Sequence, residues 1–326
     1  RPFSFDGVGL SLLVMVVVCW EVMLSKGQEW DWLGDPFWRV QTLVVLFAVG
    51  LVALIVWELR HPSPVVNFRP LRERNFAACC IIIFTAFAVL YAASTSLPAL
   101  LQSLFGYDAL SAGLVMSPAG FFAVVTMPFV GRALGRGLDA RWVIGAGLLT
   151  MAAGNYWMSQ MNLDISPGQA VWPRVVLIVG LAMCFAPANV AAYLYTPVAL
   201  RGAAVGLLSL LRNEGGSVGT SMAQTIQERR DQFHSLRLGE WLDPFNPAAQ
   251  SFLGTVSGRF LQQTGDPVAA RQLALKALAN VRLQQAAALA YFDVFWVLAV
   301  VMAALVFAVL LMKRSVAEKG ARIGGE

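Results

Sequence analysis

Long apolar runs recur along almost the whole of this sequence. Eight of them can be drawn, at 8–25, 40–58, 76–97, 109–130, 142–160, 174–195, 202–225 and 289–312. Each is close to the ~20 residues that an α-helix needs to cross a bilayer. The runs are continuous and do not alternate between apolar and polar residues, which favours helices over a β-barrel. The sequence therefore predicts an all-α polytopic membrane protein with eight spans.

The composition narrows the possible functions. Only 13% of the residues are charged, against about 25% in soluble domains. No nucleophile–base pair, phosphate-binding loop or zinc-ligand spacing is visible, so we expect no enzyme activity, cofactor or metal. The net charge of +5 is expected to gather in cytoplasmic loops and does not indicate a nucleic-acid partner. The cysteines lie within apolar runs and are predicted to be core residues: Cys19, Cys79, Cys80 and Cys184.

The loops between the apolar runs alternate in charge. Arginine or lysine occurs in the tail after residue 312 and in the loops 60–75, 131–141 and 197–202. The loops 98–108 and 159–173 contain neither. Positively charged loops stay on the cytoplasmic side, so this pattern predicts that both ends of the chain are cytoplasmic.

The segment 226–288 is much longer than the other loops and falls on the outer side. Long segments cross the membrane largely regardless of charge, so its arginines do not contradict this topology. Asp266 followed by Pro267 resembles a helix start, with an N-cap and a proline at the first helical position. We therefore expect an extramembrane helical hairpin or lid, in which one helix runs from Pro267 into the last apolar run.

A proline- and arginine-rich stretch at 60–75 separates the first two runs from the other six, as is typical of a domain boundary. We expect residues 1–70 to form two transmembrane helices with a cytoplasmic connector. Residues 71–326 would form a six-helix bundle with the long outer loop 226–288. Because the sequence starts with Arg1 and no signal peptide precedes the first run, we also expect it to be the interior of a longer protein.

An arginine and a glutamate lie in the middle of the seventh run, in LLRNEGGSVGTS, residues 210–221. Arg212 and Glu214 would lie roughly 15 Å into the run, where a charge costs about 2.5–3.5 kcal/mol. They are about 200° apart around a helix, so neither satisfies the other. Arg212 is expected to be either an anchor bonded to carbonyls or a functional cation. Glu214 is expected to be either a proton or cation site or a structural pair.

The same stretch is rich in small residues. Gly215 and Gly219 form a GxxxG pair, and Gly216 with Thr220 extends the small-xxx-small spacing. Small residues let another helix backbone approach closely. We therefore expect a tight helix–helix seam, in a helix that the glycines also make easier to bend.

Residues 98–118, PALLQSLFGYDALSAGLVMSP, resemble the EmrB/QacA group of the major facilitator superfamily. The matching residues there are Gln102, Gly106, Tyr107, Gly113 and Pro118, of which the first three would make an outer turn. The loop GRALGRGLDAR is similar to a degraded copy of the superfamily's cytoplasmic loop motif and keeps Gly131, Asp139 and Arg141. The stretch with Arg212, Gly216 and Gly219 resembles the penultimate span, and AYFDVFWVLA, with Asp293, resembles the start of the last span.

The resemblance covers nearly all of this chain but only the C-terminal portion of the group, whose members are drug:proton antiporters with fourteen spans. It implies that the first two helices are the linker between the two halves and that the other six form the C-terminal transporter bundle, with loop 226–288 in the periplasm. It implies proton-coupled efflux of amphipathic drugs by alternating access in a bacterial inner membrane. The implied partners are the missing N-terminal bundle, a periplasmic adaptor, an outer-membrane channel, lipid and a small-molecule substrate. The long outer loop is most similar to the EmrB type.

Further polar side chains lie within the apolar runs. Glu21 and Asp293 lie near the outer ends of their runs, where a carboxylate either reaches interfacial water or takes part in coupling. Pro187 in mid-span predicts a kink. Either core packing or the lining of a cavity for amphipathic cations is expected for Tyr91, Ser94, Thr95, Asn189, Tyr193 and Asn213.

Two rival functions stay open. A protein with the same fold could export a specific endogenous metabolite, such as a siderophore or a fatty acid, and substrate profiling would separate this from a drug pump. The chain could instead belong to a non-transporting membrane scaffold or sensor. In that case neutralising Arg212 and Glu214 would affect only stability.

Overall fold

The computed structural model describes residues 6–62, 64–164, 166–243 and 245–313. All regular elements in these ranges are helical, which confirms the predicted all-α class. The long helices are α1 Gly7–Lys26, α2 Arg39–Arg60, α3 Arg74–Leu104, α4 Ala109–Gly135, α5 Ala140–Ser159, α6 Pro167–Leu194, α7 Arg201–Glu240, α8 Pro247–Thr264 and α9 Pro267–Val309. Short 3-10 turns lie at Trp32–Gly34, Arg69–Arg72 and Val198–Leu200.

Six of the described helices are long and apolar enough to cross a membrane, namely α1, α2, α3, α4, α6 and α9. The helices α5 and α7 do not reach the same apolarity. Both pack between other helices, α5 between α6 and α9, and α7 between α3 and α9. A helix surrounded by protein needs less apolar surface than one facing lipid. The count of eight spans therefore stays a prediction for these two helices.

The first two helices pack against each other. Trp20 and Phe47 stack across this pair with ring centroids 4.7 Å apart. In the turn between the helices, the buried carboxylate of Asp35 accepts hydrogen bonds from the backbone N–H groups of Phe37 and Arg39 at 3.0 and 2.8 Å. The Arg39 guanidinium also donates to it, and these donors hold the pKa of Asp35 well below its ordinary value. One carboxylate therefore organises the turn that joins α1 to α2.

The helices α3 to α7 and α9 form a bundle with an apolar interior. Pairs in close contact include α3 with α7, α4 with α6, and α5 with both α6 and α9. At one end, the buried Asn75 amide donates to the Ala191 carbonyl at 2.9 Å and its oxygen accepts from the Lys313 N–H at 2.9 Å. This side chain ties α3 and α6 to the end of α9. The four cysteines are buried and free, which confirms their prediction as core residues.

The α1–α2 pair meets the bundle along α7. The Ser221 hydroxyl of α7 donates to the Leu24 carbonyl of α1 at 2.7 Å. The connector after α2 contributes Val66 and Phe68, which pack against the bundle core. The division into a linker pair and a transporter bundle stays a prediction, and these are the contacts that would join the two parts.

Two helices are much longer than a bilayer is thick. α7 has 40 residues and α9 has 43, which corresponds to about 60 and 65 Å, whereas the hydrocarbon core measures about 30 Å. Both helices are therefore longer than one crossing of a bilayer requires, and α8 packs against α9. The predicted helix start is confirmed, because Asp266 accepts a hydrogen bond from the Val268 N–H at 2.8 Å. The described residues of the segment 226–288 form a helical hairpin, in which α8 packs against α9, and its position outside the membrane stays a prediction.

Candidate functional site

The glycines of α7 lie against the backbone of α3. A Cβ atom added at Gly215 would lie 3.1 Å from the carbonyl carbon of Phe84, and one at Gly219 would lie 2.5 Å from that of Ala88. Glycine permits this close approach of two helices because it has no side chain. The seam predicted from the GxxxG pair is therefore present. It sets the rotation of α7 about its own axis, and hence the directions of Arg212 and Glu214.

Arg212 faces the aromatic side of the bundle. Its guanidinium lies 5.7 Å from the ring centre of Phe87 on α3, within the range of a cation–π contact. Phe87 meets Phe185 of α6 edge to face, with centroids 5.6 Å apart. Tyr91, one turn along α3, is 46% exposed and lies over Gly216. We call the surface formed by Arg212, Phe87, Tyr91 and Phe185 the aromatic face.

Glu214 lies on the other side of α7 and faces α1. It borders a cavity of about 210 Å³ between α1, α2, α3 and α7, whose other lining side chains are apolar or aromatic. We call this space the junction cavity. The Trp20 indole is within hydrogen-bonding reach of the Glu214 carboxyl group, and the Glu21 carboxylate is close enough to repel it. In the described part of the chain, Glu214 Oε2 has no hydrogen-bond partner.

The structure thus separates two residues that are neighbours in sequence. Arg212 and Glu214 face different surfaces, as their predicted angular separation around the helix requires. The rotation set by the glycine seam directs only Arg212 toward the bundle's aromatic face. Glu214 and Glu21 are brought together instead, at the boundary with the first two helices.

A buried arginine that the sequence-based prediction missed lies between α3 and α6. Arg174 is 6% exposed, and its Nη2 donates to the Ser94 hydroxyl at 2.6 Å. Its Nε and Nη1 atoms have no partner among the described residues. The sequence analysis began the sixth apolar run at residue 174, whereas α6 already starts at Pro167. The sequence contains a signal for this earlier helix start, because Ser166 and Gln169 form a capping box at the beginning of α6.

The other proposed lining residues are dispersed. Thr95 borders a separate cavity of about 430 Å³ beside Glu228 and Tyr291. The Asn189 amide donates to the Phe185 carbonyl of its own helix at 2.8 Å. Tyr193 packs partly buried against the core, and Asn213 is exposed. Of the six candidates, only Tyr91 lies on the aromatic face.

Asp293 is paired with two side chains of α7. Its Oδ2 atom accepts from Arg230 Nε at 2.6 Å and lies 2.6 Å from His234 Nε2. Both partners lie beyond residue 225, where the sequence analysis ended the seventh span, so the pairing was not foreseen. Asp293 also borders a cavity of about 450 Å³ next to the α5–α6 loop. It therefore joins α9 to the base of the hairpin.

The motif residues between α3 and α4 form the predicted turn. Gly106 has φ +68°, in the left-handed region that favours glycine. The Tyr107 N–H donates to the Leu101 carbonyl at 3.1 Å, and Gln102 is exposed. The motif residues that follow lie inside α4, at Gly113, Pro118 and Gly131.

The second motif, which contains Asp139 and Arg141, joins the start of α5 to the end of α9. Asp139 caps α5 by accepting from the Arg141 N–H at 3.1 Å, and the Arg141 guanidinium pairs with the same carboxylate at 2.8 Å. Arg141 also donates to the Met312 carbonyl at 3.3 Å. Pro187 lies within α6, which continues through it, so its kink stays a prediction.

Comparison with known sequences decides the family. The family model described as "Major Facilitator Superfamily" matches residues 7–220. The chain belongs to the major facilitator superfamily. The match runs from the start of α1 to the middle of α7 in this major facilitator chain.

Several similar relatives are named as EmrB proteins, which confirms the resemblance. The major facilitator chain is 33% identical over 264 residues to the multidrug export protein EmrB of Escherichia coli (strain K12), covering 79% of this chain and 50% of that protein. EmrB of Haemophilus influenzae is 33% identical over 248 residues, which cover 76% of this chain and 48% of that protein. The fatty acid resistance protein FarB of Neisseria gonorrhoeae is 33% identical over 241 residues, which cover 74% of this chain and 47% of that protein. The chain spans about half the length of the curated relatives it matches.

Proposed function

We propose that this chain is the C-terminal portion of a proton-coupled exporter of amphipathic drugs in the bacterial inner membrane. Residues 1–70 would be linker helices, residues 71–326 the C-terminal bundle, and both ends would be cytoplasmic. The bundle would rock against the N-terminal bundle of the full-length protein, with the aromatic face lining half of the central cavity. The multidrug export function in the names of the EmrB relatives supports this proposal.

The observation that carries the proposal is the environment of Glu214. Its carboxyl group borders an apolar cavity, and one of its oxygens lacks a hydrogen-bond partner within the described ranges. A carboxyl group in such a site can take up either a proton or a cationic substrate. Alternate occupancy by these two is what proton–drug antiport requires.

The test is efflux from proteoliposomes that contain the full-length protein under an imposed pH gradient. Glu214→Gln keeps the size of the side chain but cannot exchange a proton, so we expect gradient-driven efflux of ethidium to be largely lost. Glu240→Gln, on the exposed end of the same helix, is the matched control and should transport at the wild-type rate. Unchanged efflux by a folded Glu214→Gln protein would remove this residue from the coupling machinery.

A second candidate function is the export of fatty-acid-like anions. The name of the FarB relative points to it, and so does Arg212, whose guanidinium contacts an aromatic ring and has no carboxylate partner in the described part of the chain. Arg212→Gln should then abolish efflux of long-chain fatty acids and spare that of cationic dyes. Equal loss of both substrate classes would assign Arg212 a structural role.

The proposal includes a periplasmic adaptor and an outer-membrane channel as partners. The hairpin formed by the end of α7, α8 and the start of α9 exposes large apolar side chains: Leu236, Trp241, Phe245 and Val268. Large exposed apolar side chains such as these can form a contact with another protein. Trp241→Ser with Phe245→Ser should reduce recovery of the adaptor in a pull-down, whereas Gln263→Ser on α8 should not. Full recovery with the double variant would exclude this surface.

A further inference from the structure

Three titratable side chains meet where the start of α1 lies beside the end of α2: Asp6, Glu58 and His61. We propose that this cluster is a proton-binding site that controls how firmly the linker pair holds the connector to the bundle. The ligand is a proton bound at Glu58. The cluster lies in the linker pair and is separate from Glu214, so the inference goes beyond the proposed export function.

Glu58 is buried and lacks hydrogen bonds. Only 3% of the residue is exposed, and neither carboxyl oxygen has a hydrogen-bond partner among the described residues. The backbone N–H groups of Val65 and Val66 in the connector approach this carboxyl group without completing a hydrogen bond. Burying an ionised carboxylate without partners is strongly unfavourable, whereas a protonated carboxyl group carries no charge. The burial of Glu58 is therefore best explained by a bound proton.

The Asp6 carboxylate lies beside Glu58 and holds the negative charge of the pair. Asp6 accepts hydrogen bonds from the Gly9 N–H at 2.8 Å and the Trp57 indole at 3.1 Å, and these donors lower the pKa of Asp6. A Cβ atom added at Gly9 would overlap an oxygen atom of each carboxyl group. Two neighbouring carboxyl groups do not both ionise readily. Since the donors serve Asp6, the proton belongs to Glu58.

His61 connects the cluster with solvent. Its Nδ1 atom lies 3.5 Å from Asp6 Oδ2, and 25% of its side chain is exposed. Its ring stacks on Trp57 with centroids 5.9 Å apart. A protonated imidazole attracts the Asp6 carboxylate, so a rise in pH weakens this contact as well. Within the described residues, Asp6 and His61 are the titratable groups that act on Glu58, and the bundle adds no further one.

The connector links the cluster to the bundle. Val66, close to the Glu58 carboxyl group, packs with Phe68 against the bundle core. Loss of the proton places a second negative charge beside Asp6, and the repulsion drives α1 and the connector apart. Because the loop 60–75 is predicted to be cytoplasmic, the cluster would respond to the pH of the cytoplasm. We therefore expect the contact to be firm at low pH and to loosen as pH rises.

The test is hydrogen exchange of connector peptides in the full-length protein in lipid nanodiscs, expressed as protection factors. Protection in the wild type should fall about tenfold between about pH 6 and about pH 8, because deprotonation loosens the contact. Glu58→Gln resembles the protonated form, so its protection should stay high and change by less than about threefold, the remaining effect of His61. Glu73→Gln, at the other end of the connector with 41% of its side chain exposed, is the matched control and should follow the wild type.

A second measurement detects the proton itself. The infrared difference spectrum between the same two pH values should contain a C=O stretching band of a protonated carboxyl group that Glu58→Gln removes and Glu73→Gln keeps. Identical spectra for the wild type and folded Glu58→Gln would show that Glu58 exchanges no proton. Wild-type protection that does not change with pH would refute the control of the connector, even if Glu58→Gln fails to fold. Both measurements are made without transport, so they are independent of the ethidium efflux that tests the export function.

Discussion

The seam between α3 and α7 makes a quantitative prediction at Gly219. A Cβ atom added there would lie 2.5 Å from the carbonyl carbon and 2.6 Å from the Cα atom of Ala88. Carbon atoms in good contact are about 3.5–4.0 Å apart, so Gly219→Ala requires the two helices to separate by about 1 Å. No side-chain rotation can relieve this overlap, because the atoms on α3 belong to the backbone.

The expected change in the free energy of unfolding follows from two opposing effects. Overpacking typically destabilises a protein by about 1–3 kcal/mol, whereas replacing glycine by alanine inside a helix stabilises it by roughly 0.5–1 kcal/mol. We therefore expect Gly219→Ala to lower the stability by about 1–2 kcal/mol. Gly206→Ala is the matched control on the same helix. Nothing lies within 4 Å of its added Cβ atom, so only the stabilising effect remains.

The assay is equilibrium unfolding of the full-length protein in mixed micelles with increasing sodium dodecyl sulfate, followed by circular dichroism. Gly219→Ala should unfold at a lower fraction of sodium dodecyl sulfate than the wild type, and Gly206→Ala at an equal or higher fraction. Equal midpoints for the two variants would refute the argument, because they would show that α3 and α7 are not in backbone contact at this seam.

Three further predictions concern the ends of the bundle. Asn75→Ala should lower the free energy of unfolding by about 1–3 kcal/mol, since it removes the donor to a buried carbonyl of α6, and an unchanged thermal midpoint would contradict this. Asp293→Asn should increase hydrogen exchange at residues 226–240, because the base of the hairpin loses its ion pair, and unaltered protection would show that the pair is dispensable. Gly106→Ala should destabilise by about 1–2 kcal/mol, since its φ is positive, whereas Gly113→Ala in α4, with equally open surroundings, should not.

Local features were predicted well from the sequence. The turn around Gly106 and the helix start at Asp266 depend on the conformational preferences of a few adjacent residues, and the structure has both. The GxxxG pair also marked the seam correctly, because the absence of a side chain is itself the property that allows close packing. The length of α7 was not foreseen, since its polar continuation past residue 225 carries no apolar signal.

Side chains whose role depends on a distant helix were predicted less well. Arg174 reaches Ser94 on α3, and Asp293 pairs with Arg230 and His234 on α7. The residues in each of these contacts are at least 59 positions apart. Helix periodicity states which residues share a face, but it does not state which neighbour that face meets.

The sequence by itself determined that this chain spans a membrane as helices, and that Arg212 and Glu214 point in different directions. Both conclusions follow from properties of a single segment: apolar length against bilayer thickness, and the angle per residue of a helix. Only the tertiary structure decided that Arg212 meets the aromatic face and Glu214 the junction cavity. The glycine seam determines how α7 is rotated relative to α3, and Glu214 then contacts residues of α1. These two environments therefore depend on how the helices pack.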